Sequence, residues 1–197
     1  GSLLVGQLRG GVDIRTMGSG NAGGTNALRT QGPAFAAAVM VIDIGKGWIA
    51  AALIPAIVLP GVGIDPSVDR VWLQVACASA AVVGHVYPLW YGFRGGKGAA
   101  TLVGVLLGLY PMALAPVLGV WLLVLLLTGY VGLSTMCAVA SFPLLLLFAF
   151  DPPHSAPLLT FGIAMLTFVC YTHRANIARM RAGTENRAQR LWLLKPR

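Results

Sequence analysis

Three short segments hold the residues able to do chemistry. The first, GSGNAGGTNALR from Gly18 to Arg29, packs four glycines, two asparagines, a serine, a threonine and an arginine into twelve positions. Glycine lets the backbone take positive φ and turn N–H groups into a concavity that suits an anion. Ser19, Asn21, Thr25 and Asn26 add neutral donors, and Arg29 can grip a phosphate with two parallel hydrogen bonds. The second, GHVYPLWYGFRGGKG from Gly84 to Gly98, sets Arg94 and Lys97 on a glycine turn before a new helix near Gly98. It lacks the Walker spacing of a nucleotide loop. The third, HRANIARMRAGTENR from His173 to Arg187, places His173 and Asn176 three apart, hence on one helical face. A histidine there can act as donor, acid or base near neutral pH. Each segment also admits a plainer reading: a loop of turn residues, basic residues at a membrane edge, or an ordinarily solvated interfacial histidine. Glu185 reads as a structural partner for nearby arginines.

Between these islands the chain is oily. Hydrophobic residues make up 57% and charged residues 10%, with a mean hydropathy of +0.78, far from a soluble domain. Apolar runs place membrane spans at 33–59, 70–91, 98–110, 112–128, 131–150 and 156–173. A remnant at 1–9 is too short to cross, so the first spanning helix is expected to begin upstream of Gly1. Basic residues gather at the three clusters and their flanks, including seven from Arg174 to Arg197, whereas the opposite connections hold Arg70 with Asp65, Asp69 and Asp151. The positive-inside rule therefore places all three clusters on the cytoplasmic side. Clusters two and three share that side only if 98–128 supplies an even number of crossings. Pro111 offers a break between two short helices. The expected fold is an all-α, polytopic bundle of seven transmembrane helices, one domain over 1–197, in the inner membrane.

The net charge of +8 is explained by membrane-edge lysines and arginines, and no nucleic acid is expected. Cys77, Cys137 and Cys170 lie in apolar runs without metal-ligand spacing and read as free buried thiols. No Asp/His cluster suggests a metal, and no cofactor is expected. Asp43 and Lys46 share a face inside a span, either as a mutually neutralising pair or as a functional one. His85, some three turns above the second cluster's glycines, reads as a packing histidine. The basic stretch after His173 is expected to extend the last helix into the cytoplasm.

In order, spacing and content the three segments resemble the motifs of the bacterial membrane acyl-phosphate:glycerol-3-phosphate acyltransferase family (PlsY): Ser19 to Arg29, Gly84 to Gly98 and His173 to Arg187. The resemblance runs over the whole chain. It implies a bundle of seven membrane helices with the motifs on the cytoplasmic face. It also implies transfer of an acyl group from acyl phosphate to the 1-hydroxyl of glycerol 3-phosphate, giving lysophosphatidic acid and inorganic phosphate. Carried over by position, Ser19, Arg29, Lys97, His173 and Asn176 would be the essential residues. Backbone from Asn21 through Gly23 and Thr25 to Asn26 would cradle a phosphate, and Gly95, Gly96 and Gly98 would belong to the acyl-phosphate site. His173 and Asn176 would help hold glycerol 3-phosphate. A loop hydroxyl between the fifth and sixth helices would fall on Thr135, beside Ser134. The partners are then the two substrates and the lipid bilayer, with the protein a monomer.

An acyl phosphate is already activated, so the enzyme mainly needs to position two anions and stabilise developing charge. None of His85, His154 or His173 has an Asp five residues on, and no Gly-x-Ser-x-Gly elbow exists. The expected mechanism has no strong side-chain base, with a substrate phosphate oxygen taking the hydroxyl proton. A transporter for phosphate compounds is the competing reading. It would concentrate polar groups at the bilayer midplane in paired repeats, and no repeat is evident.

Overall fold

The computed structural model describes residues 1–58, 67–149 and 155–194. The span ends at 59 and 150, together with Asp65, Asp151, His154, Lys195 and Arg197, lie outside the described residues. All regular structure among the described residues is helical. The chain forms two compact units, Gly1–Leu109 and Tyr110–Arg197.

In the first unit, α1 (Ser2–Leu8) and a short 3-10 turn lead to α2 (Gly24–Gln31) and α3 (Pro33–Trp48). Gly32, at φ 84°, ends α2, and Pro33 opens α3, where its missing N–H costs nothing. α3 continues through π and 3-10 turns to Ala56. α4 (Arg70–Val86) begins under an Asp69 cap that accepts from the Val71 and Trp72 amides. α5 (Ala99–Leu109) then lies against α3. That contact is backbone-close: a Cβ on Gly104 would strike the Ile44 carbonyl, and one on Gly47 the Thr101 carbonyl. Gly108, four residues after Gly104, faces Ala51 in the same way, with 2.8 Å left for a Cβ. Without a hydrophobic drive between helices in lipid, small residues at such a spacing let helices associate by close packing. Ile14, Ala27, Phe35 and Val39 form the core beneath α2.

The second unit comprises α6 (Leu114–Thr128), α7 (Val131–Phe148), α8 (Ser155–Thr172) and α9 (Arg174–Arg181). Gly129 at φ 73° stops α6 and donates to the Leu125 carbonyl, so only Gly129 and Tyr130 separate α6 from α7. α7 packs between α6 and α8, and Gly162 of α8 lies against Phe142 and Pro143. The last turn of α6 leaves carbonyls without helical partners. The C-terminal segment answers them: Leu193 N–H donates to Leu126 O (2.9 Å) and Ala188 N–H to Gly129 O (2.8 Å), while Trp192 Nε1 donates to Leu127 O (3.1 Å). Arg187 reaches Thr128 O (3.4 Å) and sits between the Tyr130 and Trp192 rings, 4.4 and 3.9 Å from their centroids.

Among the described residues five helices are long and apolar enough to cross a membrane: Pro33–Ala56, Arg70–Tyr91, Pro111–Thr128, Val131–Phe148 and Ser155–Thr172. α5, with 11 residues, extends only about 16 Å, roughly half of a ~30 Å hydrocarbon core. The expected break at Pro111 is present, with Tyr110 outside the helix at φ −153°. Three expectations need correction. The first cluster is not a loop ahead of a helix at Pro33, because its second half is itself α2. Thr135 lies one turn inside α7 rather than in a loop, because the α6–α7 connection is only two residues long. The basic stretch beyond α9 does not run on as helix, because Gly183, at φ 70°, turns it and the following residues fold back onto α6.

Candidate active site

In the first cluster, Asn26 is the organiser. It is 1% exposed, and its amide donates to Ile14 O (2.9 Å) and Met17 O (3.0 Å) while accepting from Ser19 N–H (3.0 Å). Both side-chain hydrogens are thus spent on the loop, which corrects its reading as a donor to a ligand. Gly18, at φ 57°, lies so close to Asn26 that a Cβ would strike Oδ1 and come within 2.9 Å of Thr30 Cγ2. Ser19 is left exposed on the loop thus pinned. Gly23 is the extended N-cap of α2, so the first-turn amides of Gly24, Thr25 and Asn26 sit at a helix N-terminus, where the dipole favours negative charge. Arg29 follows on the last turn of α2, exposed.

The second cluster is bolted to the first cluster's approach. Asp13 accepts from Arg15 Nε (2.9 Å) and Nη2 (2.7 Å), and Arg15 Nη1 donates to Tyr91 O (2.8 Å) and Arg94 O (3.2 Å). The guanidinium holds the Asp13 carboxyl below its ordinary range, and the carboxylate raises the Arg15 pKa in return. Sequence reasoning missed Arg15; the Asp-x-Arg spacing ahead of the glycines was its only signal. The glycine turn itself doubles back on α4. Gly95 N–H donates to Val86 O (2.9 Å) and Gly96 N–H to His85 O (3.3 Å). His85 therefore touches the turn rather than standing three turns away from it. Lys97 follows Gly96, half-buried, and Gly98 takes φ 90° to start α5.

In the second unit, His173 interrupts the helix between α8 and α9 (φ −96°, ψ 8°). Its Nδ1 lies 2.9 Å from the Val169 carbonyl. A carbonyl only accepts, so Nδ1 carries a hydrogen and donates to it. Asn176 donates to Glu185 Oε1 (2.7 Å), and Arg179 Nε to Glu185 Oε2 (2.6 Å). Glu185 is structural, as its sequence context suggests, and what it fixes is Asn176. Gly132 of α7 lies under the Asn176 side chain, leaving 3.2 Å for a Cβ. His173 and Asn176 are both buried. On α7, Thr135 Oγ1 donates to Val131 O (3.0 Å) and accepts from Trp121 Nε1 (3.3 Å), and Ser134 donates to Tyr130 O (2.8 Å). Within the first unit Arg15 ties the approach to the first cluster to the second, and within the second unit Asn176 packs on Gly132 of α7. Among the described residues no three His, Cys, Asp or Glu side chains gather as metal ligands.

Comparison with known proteins gives this geometry a family. The family model described as glycerol-3-phosphate acyltransferase matches residues 1–183. The chain belongs to the glycerol-3-phosphate acyltransferase (PlsY) family. It is an acyltransferase and a multi-pass membrane protein. A glycerol-3-phosphate acyltransferase from Chlorobium luteolum is 37% identical over 209 residues, covering 94% of this chain and 89% of the relative. That of Chlorobaculum parvum is 38% identical with the same coverage. The crystal structure of PlsY in its glycerol 3-phosphate form is similar at a TM-score of 0.80 and 35% identity, over 94% of this chain and 86% of that one. The lysophosphatidic acid form is similar at 0.78 and 34%.

Proposed function

We propose that this acyltransferase moves an acyl group from acyl phosphate to the 1-hydroxyl of glycerol 3-phosphate, releasing lysophosphatidic acid and inorganic phosphate. The observation that carries the reading is the likeness, over 94% of the chain, to a solved acyltransferase in both a glycerol 3-phosphate form and a lysophosphatidic acid form. Those forms correspond to an acceptor and its acylated product. The polar residues of this chain suit the same chemistry. The first-turn amides of α2, with Ser19 and Arg29, would bind a phosphate. The Gly95–Gly98 turn with Lys97 would hold the acyl phosphate, and His173 Nε2 with the Asn176 amide would hold the acceptor. Thr135, on the second turn of α7, would serve as a supporting hydroxyl. In membrane terms, α1 and α5 would join the five long helices in a bundle of seven, with all three clusters at the cytoplasmic face of the inner membrane.

No side chain need act as a strong base. Phosphate is a good leaving group, so the acceptor hydroxyl attacks the carbonyl, its proton passes to a phosphate oxygen, and the cations offset the developing charge. The test mixes purified protein with palmitoyl phosphate and glycerol 3-phosphate and follows lysophosphatidate and phosphate together. Equal release of both, abolished in Arg29→Ala, is expected. Product formed only from an acyl thioester would overturn the donor assignment.

A further inference from the structure

The first unit also holds a buried charged cluster that lies outside all three clusters except for His85. Asp43, 1% exposed in the middle of α3, gathers three nitrogens at Oδ1: Lys46 Nζ at 2.7 Å, the Gly1 nitrogen at 2.8 Å and His85 Nδ1 at 3.3 Å. Lys46 Nζ also contacts His85 Nδ1 directly. Ionisable groups inside a span are costly, and such a group is expected to face something that uses it. The hydrogen-bond chemistry says what that is. His85 Nδ1 lies between Lys46 Nζ, which only donates, and Asp43 Oδ1, which only accepts, so the ring is held through its Nδ1 edge and turns its Nε2 edge to the glycine turn. Nε2 lies directly beneath Gly96, where an added Cβ would run into it. The His85 carbonyl accepts from Gly96 N–H, and the Val86 carbonyl from Gly95 N–H. The backbone and ring of one histidine thus support both glycines of the turn that presents Lys97.

We propose that Asp43, Lys46 and His85 are positioning residues for the Gly95–Gly96–Lys97 turn. Asp43 holds the Lys46 ammonium, the two together fix the orientation of His85 through its Nδ1, and the His85 ring forms the floor on which Gly96 rests. Gly96 is small because that floor leaves no room for a Cβ. The chain of contacts ends on the turn assigned above to the acyl phosphate, and its catalytic meaning rests on that assignment. Its structural meaning does not.

The experiment compares wild type, Lys46→Gln, His85→Ala, His85→Gln, Gly96→Ala and the double variant His85→Ala/Gly96→Ala, each as full-length protein in detergent micelles. Hydrogen–deuterium exchange reads the turn without reference to activity. His85→Ala and Lys46→Gln should speed exchange across 92–98 by roughly tenfold, as the turn loses the packing of the ring beneath Gly96 while its backbone hydrogen bonds remain, and leave 14–26 unchanged. In kinetics the same variants should raise KM for palmitoyl phosphate by about tenfold with KM for glycerol 3-phosphate within about twofold. Gly96→Ala should be defective, His85→Gln milder than His85→Ala, and the double variant better than Gly96→Ala alone because removing the ring makes room for the methyl. Unchanged exchange at 92–98, or a double variant worse than Gly96→Ala, would overturn the proposal, as would two KM values moving together. Should wild type refuse palmitoyl phosphate, the donor assignment falls and the exchange data decide the positioning claim alone.

Discussion

In the first unit, polar residues are placed by bringing backbones together: Gly104 and Gly47 let α3 and α5 meet at carbonyl distance, and Gly95 and Gly96 rest on His85. In the second, they are placed by side chains reaching across gaps: Glu185 holds Asn176 and Arg179, and Arg187 and Trp192 reach the carbonyls of α6. A close backbone approach tolerates no added volume, whereas a side-chain bridge tolerates volume but not the loss of a donor or acceptor. The two halves of one enzyme should therefore fail under different substitutions.

The largest expected effect tests the first half of that contrast. Gly104→Leu should drive α3 from α5 and destabilise the protein by roughly 3 kcal/mol or more, the upper range for overpacking. Gly119→Leu on α6 should do almost nothing, since no atom beyond its own stretch of helix lies within 4 Å of where its Cβ would sit. Thermal unfolding of both variants in micelles checks this. Equal losses from the two would break the comparison.

Next comes the bridge in the second unit. Glu185→Ala strips charge-assisted partners from Asn176 and Arg179, worth about 1.5–3 kcal/mol each where buried, and Arg179 is 38% exposed, which lowers its share. KM for glycerol 3-phosphate should rise by roughly 10- to 100-fold, with Glu185→Gln milder because an oxygen remains to accept from Asn176. A rise confined to palmitoyl phosphate would reassign Asn176.

The contrast also explains what was legible in the sequence. Spans, their break at Pro111 and the three clusters could be read because apolar length and glycine density are local signals. The Asp43–Lys46 pair was visible as a spacing of three, but not that His85 completes it, because α4 and the returning glycine turn meet only through tertiary packing. Asn26 read as a ligand donor because its type suits that role; its two carbonyl partners at Ile14 and Met17 are set by how the loop folds back. Thr135 was placed in a loop because the two-residue α6–α7 connection depends on the left-handed Gly129, which glycine permits without announcing. The fold-back of residues 187–193 onto α6 left no periodic pattern to find.

A smaller effect probes the exception within the first unit, where a side chain does the bridging. Asn26→Asp keeps the acceptor for Ser19 N–H but loses both donors to Ile14 O and Met17 O. The cost should be about 1–3 kcal/mol from unsatisfied buried groups, seen as a lowered unfolding temperature with faster exchange across 14–20. If Asn26→Asp unfolds normally and loses only catalysis, Asn26 touches substrate after all.

The smallest effect belongs to the surface fork between the units' shared theme of charge and the first unit's glycine turn: Asp13 with Arg15. The Asp13 carboxyl is held below its ordinary 3.8 chiefly by the hydrogen bond from Arg15. A depressed folded-state value means the pair's stabilisation is complete above the unfolded pKa and is lost as pH falls through the folded one. Asp13 is 37% exposed, so solvent screening limits the pair to a few tenths of a kcal/mol. Asp13→Asn keeps an oxygen for the Arg15 amide but removes the charge and the Oδ2 acceptor of the Arg15 guanidinium. Wild type should therefore exceed Asp13→Asn slightly in unfolding temperature near neutral pH, and the gap should close as pH drops below about 3.8. A gap that widens with acid would mean that Asp13 is stabilised by something other than Arg15. The glycine turn, which Arg15 still grips through Tyr91 O and Arg94 O, should then show no change in exchange at either pH.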